Sequence, residues 1–355
     1  MPGAVLDVIA LRGPKAGLDG DLGFPVHWIT AGENVSWTRL GLGVPDVFFC
    51  AGWSAREFWV LAHAVKRQGG RVVCMVDNNL KHSLRQKIGR YWFRMQVLPH
   101  IDAVLVPGNG ARELMDYFGV PDKAVYTGLY AADGEVFAAG PPLASRGRDF
   151  VFVGQFIERK GVRDLIRAVE RLRAEGYACE LLAIGEGGLL NALSKAGVAT
   201  LGFSAPETIA QELQRSRFLV LPSLEDHWGV VVHEATLSGC GLVLATGVGS
   251  RHDLLSIENG FLSVSGNADS LYAAMKAALG VDESWMDRCW RVSTDLAAEF
   301  SPRKWAATVW GIVASLEAVG AAPEPPTTPS PRTSERGDRG TNHEGVRSLS
   351  EDATR

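Results

Sequence analysis

Cysteine is scarce in this 355-residue chain, and its five copies stay far apart. Cys50, Cys74, Cys179, Cys240 and Cys289 form no Cys-x-x-Cys pair. That excludes a zinc signature and a disulfide framework, and predicts buried free thiols in a reducing compartment. Long apolar runs are also missing: no stretch reaches the roughly 18–20 residues of a membrane span. The first residues lack the basic-then-apolar order of a secretion signal. These absences predict a soluble, cytoplasmic protein. Nor is there an excess of positive charge. The formal net charge is -4, which argues against nucleic acid as the main partner, because such binding needs a basic footprint. Two enzyme signatures fail as well. Gly108-Asn109-Gly110 has Glu113 where a dinucleotide fingerprint needs a third glycine, and there is no Gly-x-Ser-x-Gly elbow for a hydrolase.

What is present is ample apolar material, 46% hydrophobic residues against 21% charged, enough for two cores at about 100–200 residues per domain. Twelve short apolar runs read as strands: Val5–Ala10, Val26–Thr30, Val47–Cys50, Val72–Val76, Ala103–Val106 and Ala124–Thr127 in the first half. In the second half they are Phe150–Val153, Glu180–Ile184, Ala199–Leu201, Phe218–Leu221, Leu242–Ala245 and Phe261–Val264. Most are continuous Val/Ile/Leu runs, which suits strands covered on both faces of a parallel sheet. Helical patterns lie between them; Val162, Leu165, Ile166, Val169 and Leu172 share one face. The alternation predicts an α/β protein built of two Rossmann-like domains, 1–147 and 148–300. A terminal helix over 301–320 follows, with Ser301 as N-cap and Pro302 in its first turn. From Ala321 the chain turns polar and proline-rich and is expected to be disordered.

The second domain holds the informative residues. A buried strand ending at Leu221 leads into Glu225-Asp226-His227-Trp228-Gly229 and then an apolar run that continues as a helix. Ligands of parallel sheets bind beyond the strand C-termini, and a helix start there suits a phosphate. Asp226 and Glu234, bracketing that anion site, suit the hydroxyls of a ribose or sugar. Three other strands end similarly, at Gly154-Gln155 with Lys160-Gly161 beyond, at Gly185-Glu186-Gly187, and at Gly247 to Asp253.

These blocks, in this order, resemble the nucleotide-sugar-binding domain of retaining glycosyltransferases of family 4 (glycosyl transferases group 1), from about Phe150 to Leu279. The family's acidic-x-[Phe/Trp]-Gly block with a Glu eight positions on reads here Asp226-His227-Trp228-Gly229 through Glu234, with Asp in place of the usual Glu. Its Gly-Arg reads Gly154-Gln155, so the Arg that usually contacts the diphosphate is Gln155. Its Gly-Asp-Gly turn reads Gly185-Glu186-Gly187. The resemblance implies the GT-B fold, two Rossmann-like domains facing a cleft. It implies transfer of a hexosyl unit from a nucleotide-sugar donor to a saccharide or lipid-linked acceptor in glycan biosynthesis, with retention and with no metal or other cofactor. Glu234 resembles the residue on the donor ribose, Asp226 the one on the transferred sugar, and Lys160 the cation on the leaving diphosphate. Backbone N–H groups around Trp228, Gly229 and Val230 would meet the phosphates.

In the first domain, Asp77 stands where the family often has a histidine after a central strand, so it is expected to line the acceptor side near the reacting sugar. Asp133 and Phe137 fit the family's Asp-x-x-x-Phe at the crossing between domains. The opening strand–loop–helix of the family is not recognisable, and the Leu11–Gly23 stretch reads as a connection; the first domain is expected to be short. Lys81, Arg85, Lys87, Arg90 and Arg94 occur with no acid between Asp77 and Asp102, interleaved with Tyr91, Trp92 and Phe93. As a helix, this segment fits either peripheral contact at the inner face of the cell membrane or an exposed charged helix whose aromatics enter the core. His227 is close to the proposed site but only its neighbours carry the motif; His233 is taken as a structural support, and Trp285, Trp290, Trp305 and Trp310 as packing of the terminal helices. Two other functions fit the same residues: a GT-B phosphorylase or epimerase, and a non-catalytic scaffold that binds nucleotide-sugar.

Overall fold

The computed structural model describes residues 5–12 and 25–320. The expected tail from Ala321, and most of the Leu11–Gly23 connection, lie outside the described residues. The chain begins with a parallel pair, β1 (Val8–Arg12) and β2 (Val26–Thr30). The expected strand at Val5–Ala10 starts later because pairing begins at Val8, leaving Val5 and Leu6 exposed. A four-stranded sheet follows: β3 (Val47–Ala51), helix α1 (Arg56–Arg67), β4 (Arg71–Met75), α2 (Leu84–Gln96), β5 (Ala103–Val106), α3 (Asn109–Phe118) and β6 (Val125–Thr127). Its strands lie side by side in chain order, all parallel. Each crossover is a helix, as parallel neighbours require. Ile29 of β2 joins Cys50, Leu61, Val65 and Val72 in one apolar cluster, so the opening pair packs on the edge of this unit.

The second sheet has six parallel strands: β7 (Arg148–Val153), β8 (Leu181–Ile184), β9 (Ala199–Leu201), β10 (Ser216–Leu221), β11 (Gly241–Ala245) and β12 (Gly260–Ser263). Helices α4 (Val162–Ala174), α5 (Leu190–Lys195), α6 (Pro206–Arg215), α7 (Val230–Leu237) and α8 (Arg251–Leu254) connect them. Helices α9 (Ala268–Leu279) and α10 (Glu283–Ala297) follow. Across the sheet the order is β9-β8-β7-β10-β11-β12. The order reverses between β7 and β10, so the crevice for a ligand opens beyond those two strands. Their residues are covered on both faces: Phe150, Val151, Phe152 and Phe218 to Leu221 are buried. That explains why they read as continuous apolar runs.

Between the sheets, Phe137 is buried in the core of the second unit, and its N–H bonds to the Asp133 carbonyl at 2.9 Å. Helix α11 (Pro302–Gly320) then returns to the first sheet. Its N-cap is Ser301, whose hydroxyl accepts from Lys304 N at 3.2 Å. Ile312 and Leu316 pack on Val73, Ala103 and Leu105, and the Tyr126 and Ser315 hydroxyls are 2.9 Å apart. Trp285 packs against Phe218 and Phe261 as expected, but Trp305 and Trp310 are exposed. The aliphatic face of α11, not its tryptophans, covers the first sheet.

Candidate active site

The crevice is built by glycines that let loops touch. Beyond β7, Gly154 donates to the Ile184 carbonyl at 2.9 Å, and a Cβ on Gly185 would sit 2.1 Å from the Gly154 carbonyl oxygen. Gly187 is pressed just as closely on the Phe156 carbonyl, where a Cβ would lie at 2.5 Å. Phe156 is buried and anchors this contact, while Gln155 and Glu186 stand exposed on the rim. Next, a single 3₁₀ turn over Glu158–Lys160 ends at Gly161, whose φ is +70°. A Cβ there would fall 2.0 Å from the Pro222 carbonyl oxygen. Only glycine allows this approach, which brings Lys160 against the loop after β10.

In that loop Lys160 Nζ lies 2.5 Å from Asp226 Oδ2, both side chains being mostly buried. Asp226 is held on both sides of its own backbone: its N–H donates to Gly247 and its carbonyl accepts from Gly249, each at 2.9 Å. Gly229, with φ +80°, then turns the chain into α7. No side chain caps that helix start, so its first N–H groups and positive dipole end are available to an anion. Three buried polar atoms around it have no hydrogen-bond partner among the described residues: Ser223 Oγ, Ser250 Oγ and Trp228 Nε1. Glu234, in the second turn of α7, has no side-chain partner among the described residues either, and burial pushes its carboxyl up to about 7. A half-buried carboxylate without a cation is an acceptor ready for hydroxyl donors.

The first sheet faces this rim. Asp77, just beyond β4, accepts from the Tyr130 hydroxyl at 3.1 Å and lies 3.4 Å from His227 Nδ1. The imidazole holds the Asp77 carboxyl below its ordinary range, and the same bond raises His227. Glu225 lies 3.2 Å from His227 Nε2 and also pairs with Lys81. Asn79 Nδ2 donates to the His227 carbonyl at 2.6 Å. Beyond β5, Asn109 gives its backbone N–H to Asp253 at 3.1 Å and its amide at 2.8 Å. Burial raises Asp253 to about 6.

The structure thus gathers Gly154, Gln155, Lys160, Gly185, Glu186, Asp226, Trp228, Gly229, Val230 and Glu234 on the strand C-termini of one sheet, with Asp77 opposite. His227, whose neighbours alone carry the motif, is the side chain that meets Asp77. His233 does support: it is buried, bonded to Ala132 N and the Ala297 carbonyl, both at 3.0 Å. Tyr130, Asn79 and Asn109 are contacts that the sequence motifs do not single out, and Asp253 enters them only as the end of its glycine loop. Asn109 follows a recognisable strand end, but its partner is 144 residues away and no local pattern announces it. Among the described residues, no group of three or more His, Cys, Asp or Glu is placed to hold a metal. A cavity of about 510 Å³ between the exit of β6 and the start of α11 shares Tyr130 with the cleft but none of its carboxylates.

Residues 147–280 match the family described as glycosyl transferases group 1. Over 146 residues the chain is 28% identical to an uncharacterized glycosyltransferase of Methanocaldococcus jannaschii, covering 39% of this chain and 35% of that protein. The match thus spans about a third of that relative. Among solved structures, HepE of Anabaena in complex with UDP is similar, with a TM-score of 0.64 at 16% identity over 83% of this chain and 86% of that one. Sucrose-phosphate synthase from Thermosynechococcus elongatus gives 0.63 at 16% identity, covering 80% and 76%. S. aureus TarM, solved with UDP and a GlcNAc-glycerol, gives 0.56 at 13%, covering 79% and 56%. The fold of this chain is therefore GT-B.

Proposed function

We propose that this chain is a retaining glycosyltransferase, moving a hexosyl unit from a nucleotide-sugar to a saccharide or lipid-linked acceptor in glycan biosynthesis. The observation that carries the reading is the Lys160–Asp226 pair beside the uncapped start of α7, with Glu234 behind it and Asp77 across the cleft. In this reading the diphosphate lies against the first N–H groups of α7 and Lys160, which neutralise charge as the leaving group departs. An ammonium has three donors, so Lys160 can serve a phosphate oxygen and Asp226 together. Asp226 accepts from hydroxyls of the transferred sugar, and Glu234 from those of the ribose. Asp77 lies beside the reacting sugar, oriented by Tyr130 and His227. No metal is needed where a lysine and a helix end carry the charge. The five buried, unpaired cysteines support a cytoplasmic setting. HepE, solved with UDP-glucose, supports a nucleotide-sugar as the donor class.

A thermal-shift screen of UDP-, GDP- and ADP-sugars tests this. One nucleotide series is expected to stabilise the chain, and the matching sugar to be transferred. The Asp77→Ala variant should keep that stabilisation and lose transfer. Full transfer by Asp77→Ala removes Asp77 from the site. Stabilisation without transfer to any acceptor leaves a non-catalytic scaffold, absence of stabilisation by any series at high concentration overturns the reading, and transfer to inorganic phosphate identifies a phosphorylase.

A further inference from the structure

Helix α2 carries an apolar stripe that the described residues leave uncovered. Leu84, Ile88, Tyr91, Trp92 and Met95 are 72%, 64%, 68%, 49% and 69% exposed. At about 100° per residue all five fall within a sector of about 100°, and Phe93 points the opposite way. Phe93 is fully buried, its ring 5.1 Å from Trp53 and 4.9 Å from Phe118. The inner face is therefore settled, and the outer stripe is not a mispacked core. Only Phe93 of the three aromatics enters the core; Tyr91 and Trp92 do not.

The charges are arranged around that stripe. Arg85 lies along one border, Lys87 and Arg94 along the other, by the same helical spacing, and the helix has no acidic residue. Arg90 sits over the Tyr117 ring and Arg94 Nε donates to the Phe118 carbonyl, so these two are partly used. Arg85 and Lys87 are exposed with no acidic partner among the described residues. A large exposed apolar patch marks an interaction site. Cations bordering it on both sides fit a surface that is apolar beneath and anionic above. A second copy of the same helix would set like charges against each other.

We propose that α2 docks flat on an anionic lipid bilayer, with Leu84, Ile88, Tyr91, Trp92 and Met95 in the headgroup–acyl boundary and Arg85 and Lys87 among the lipid phosphates. The 13-residue helix is about 20 Å long, suited to lie in the interface and not to cross it. Docking also sets the height of the cleft. Gln86, in the first turn of α2, accepts from Lys81 N at 2.7 Å and donates to the Asn79 carbonyl at 2.8 Å. The Asp77–Asn79 loop is thus tied to the docking helix, and the cleft opens next to the membrane surface. The docking stands whether or not the proposed transfer does.

Flotation of the full chain with phosphatidylcholine vesicles, with and without phosphatidylglycerol, tests this. Binding should appear with the anionic lipid and fall with added salt. The double variant Arg85→Glu/Lys87→Glu and the triple variant Ile88→Ser/Tyr91→Ser/Met95→Ser should each lower it about tenfold or more. All five side chains are exposed, so circular dichroism spectra should match the parent. Equal flotation on neutral and anionic vesicles, or unchanged flotation of the variants, overturns the proposal. So does a concentration-dependent dimer in light scattering that the triple variant dissolves while no form floats.

Discussion

Glu234 shows how one side chain's surroundings set its use. Its carboxyl is raised to about 7 by burial alone, so near neutrality it is only partly ionised. A carboxylate raised above its unfolded value binds its proton more tightly in the folded chain. That group's contribution to folding therefore worsens as pH rises from about 4.5 to about 7, by roughly 3 kcal/mol at full ionisation. If Glu234 accepts ribose hydroxyls, the ionised form binds donor better. Donor affinity measured by calorimetry should then weaken as pH falls through about 7, and Glu234→Gln should bind weakly with no such slope while melting higher at alkaline pH. An unchanged slope in Glu234→Gln would clear this carboxylate of the role. The eight-residue spacing of Asp226 and Glu234 around Gly229 is legible in the sequence, because both lie on one strand–turn–helix. The partnership of Asp77 with His227 is not, because 150 residues separate them and only the docking of the two sheets brings them together.

The turns after β7, β8 and β10 act as a single element, since Gly161, Gly185 and Gly187 are contacts between backbones. Gly161 combines a left-handed φ of +70° with a carbonyl in the space a Cβ would need, whereas Gly176, with φ +88°, has nothing within 4 Å. Alanine at Gly176 should cost about 1 kcal/mol, the conformational term alone. Alanine at Gly161 should cost more, because Pro222 must move, and it should also displace Lys160 from Asp226 and weaken nucleotide binding. Urea denaturation and calorimetry on the pair separate these effects; equal losses with intact binding would show that the close approach does not hold Lys160. At this scale much is legible. Buried strands declare themselves as unbroken apolar runs, and glycines at their ends mark where loops must meet. Helix α2 is the exception: its apolar stripe and its cations give the same periodicity whether the stripe turns inward or outward. Only the position of Phe93 decides.

At the scale of the whole molecule, several polar links cross between the sheets, and those of Asp77 with His227 and of Asp253 with Asn109 contain groups that titrate. Asp77 and His227 attract when the carboxylate and the imidazolium are both charged. His227 is raised by Asp77 and Glu225, so its contribution is complete below about 6.5 and is lost as pH rises through its higher folded value. Asp77 is lowered, so its own contribution persists down to acidic pH, below its ordinary range. Asp253 sets a different limit. It accepts two bonds from Asn109, and burial raises it to about 6, so, like that of Glu234, its contribution worsens as pH rises from its ordinary value through about 6. Lys81 with Glu225, and Asn79 on the His227 carbonyl, cross the same gap; Glu225 is itself lowered by Lys81 and stays charged throughout. The two halves should therefore be held together most firmly in mildly acidic solution and loosen as pH rises, first through about 6 and then through the raised value of His227. Small-angle scattering should show the radius of gyration increasing as pH rises through these values. His227→Gln should remove the higher step and Asp253→Asn the one near pH 6, because each substitution leaves a polar side chain that no longer titrates. A radius that changes equally with pH in both variants would place the hinge's control elsewhere, in the packing of α11 on the first sheet.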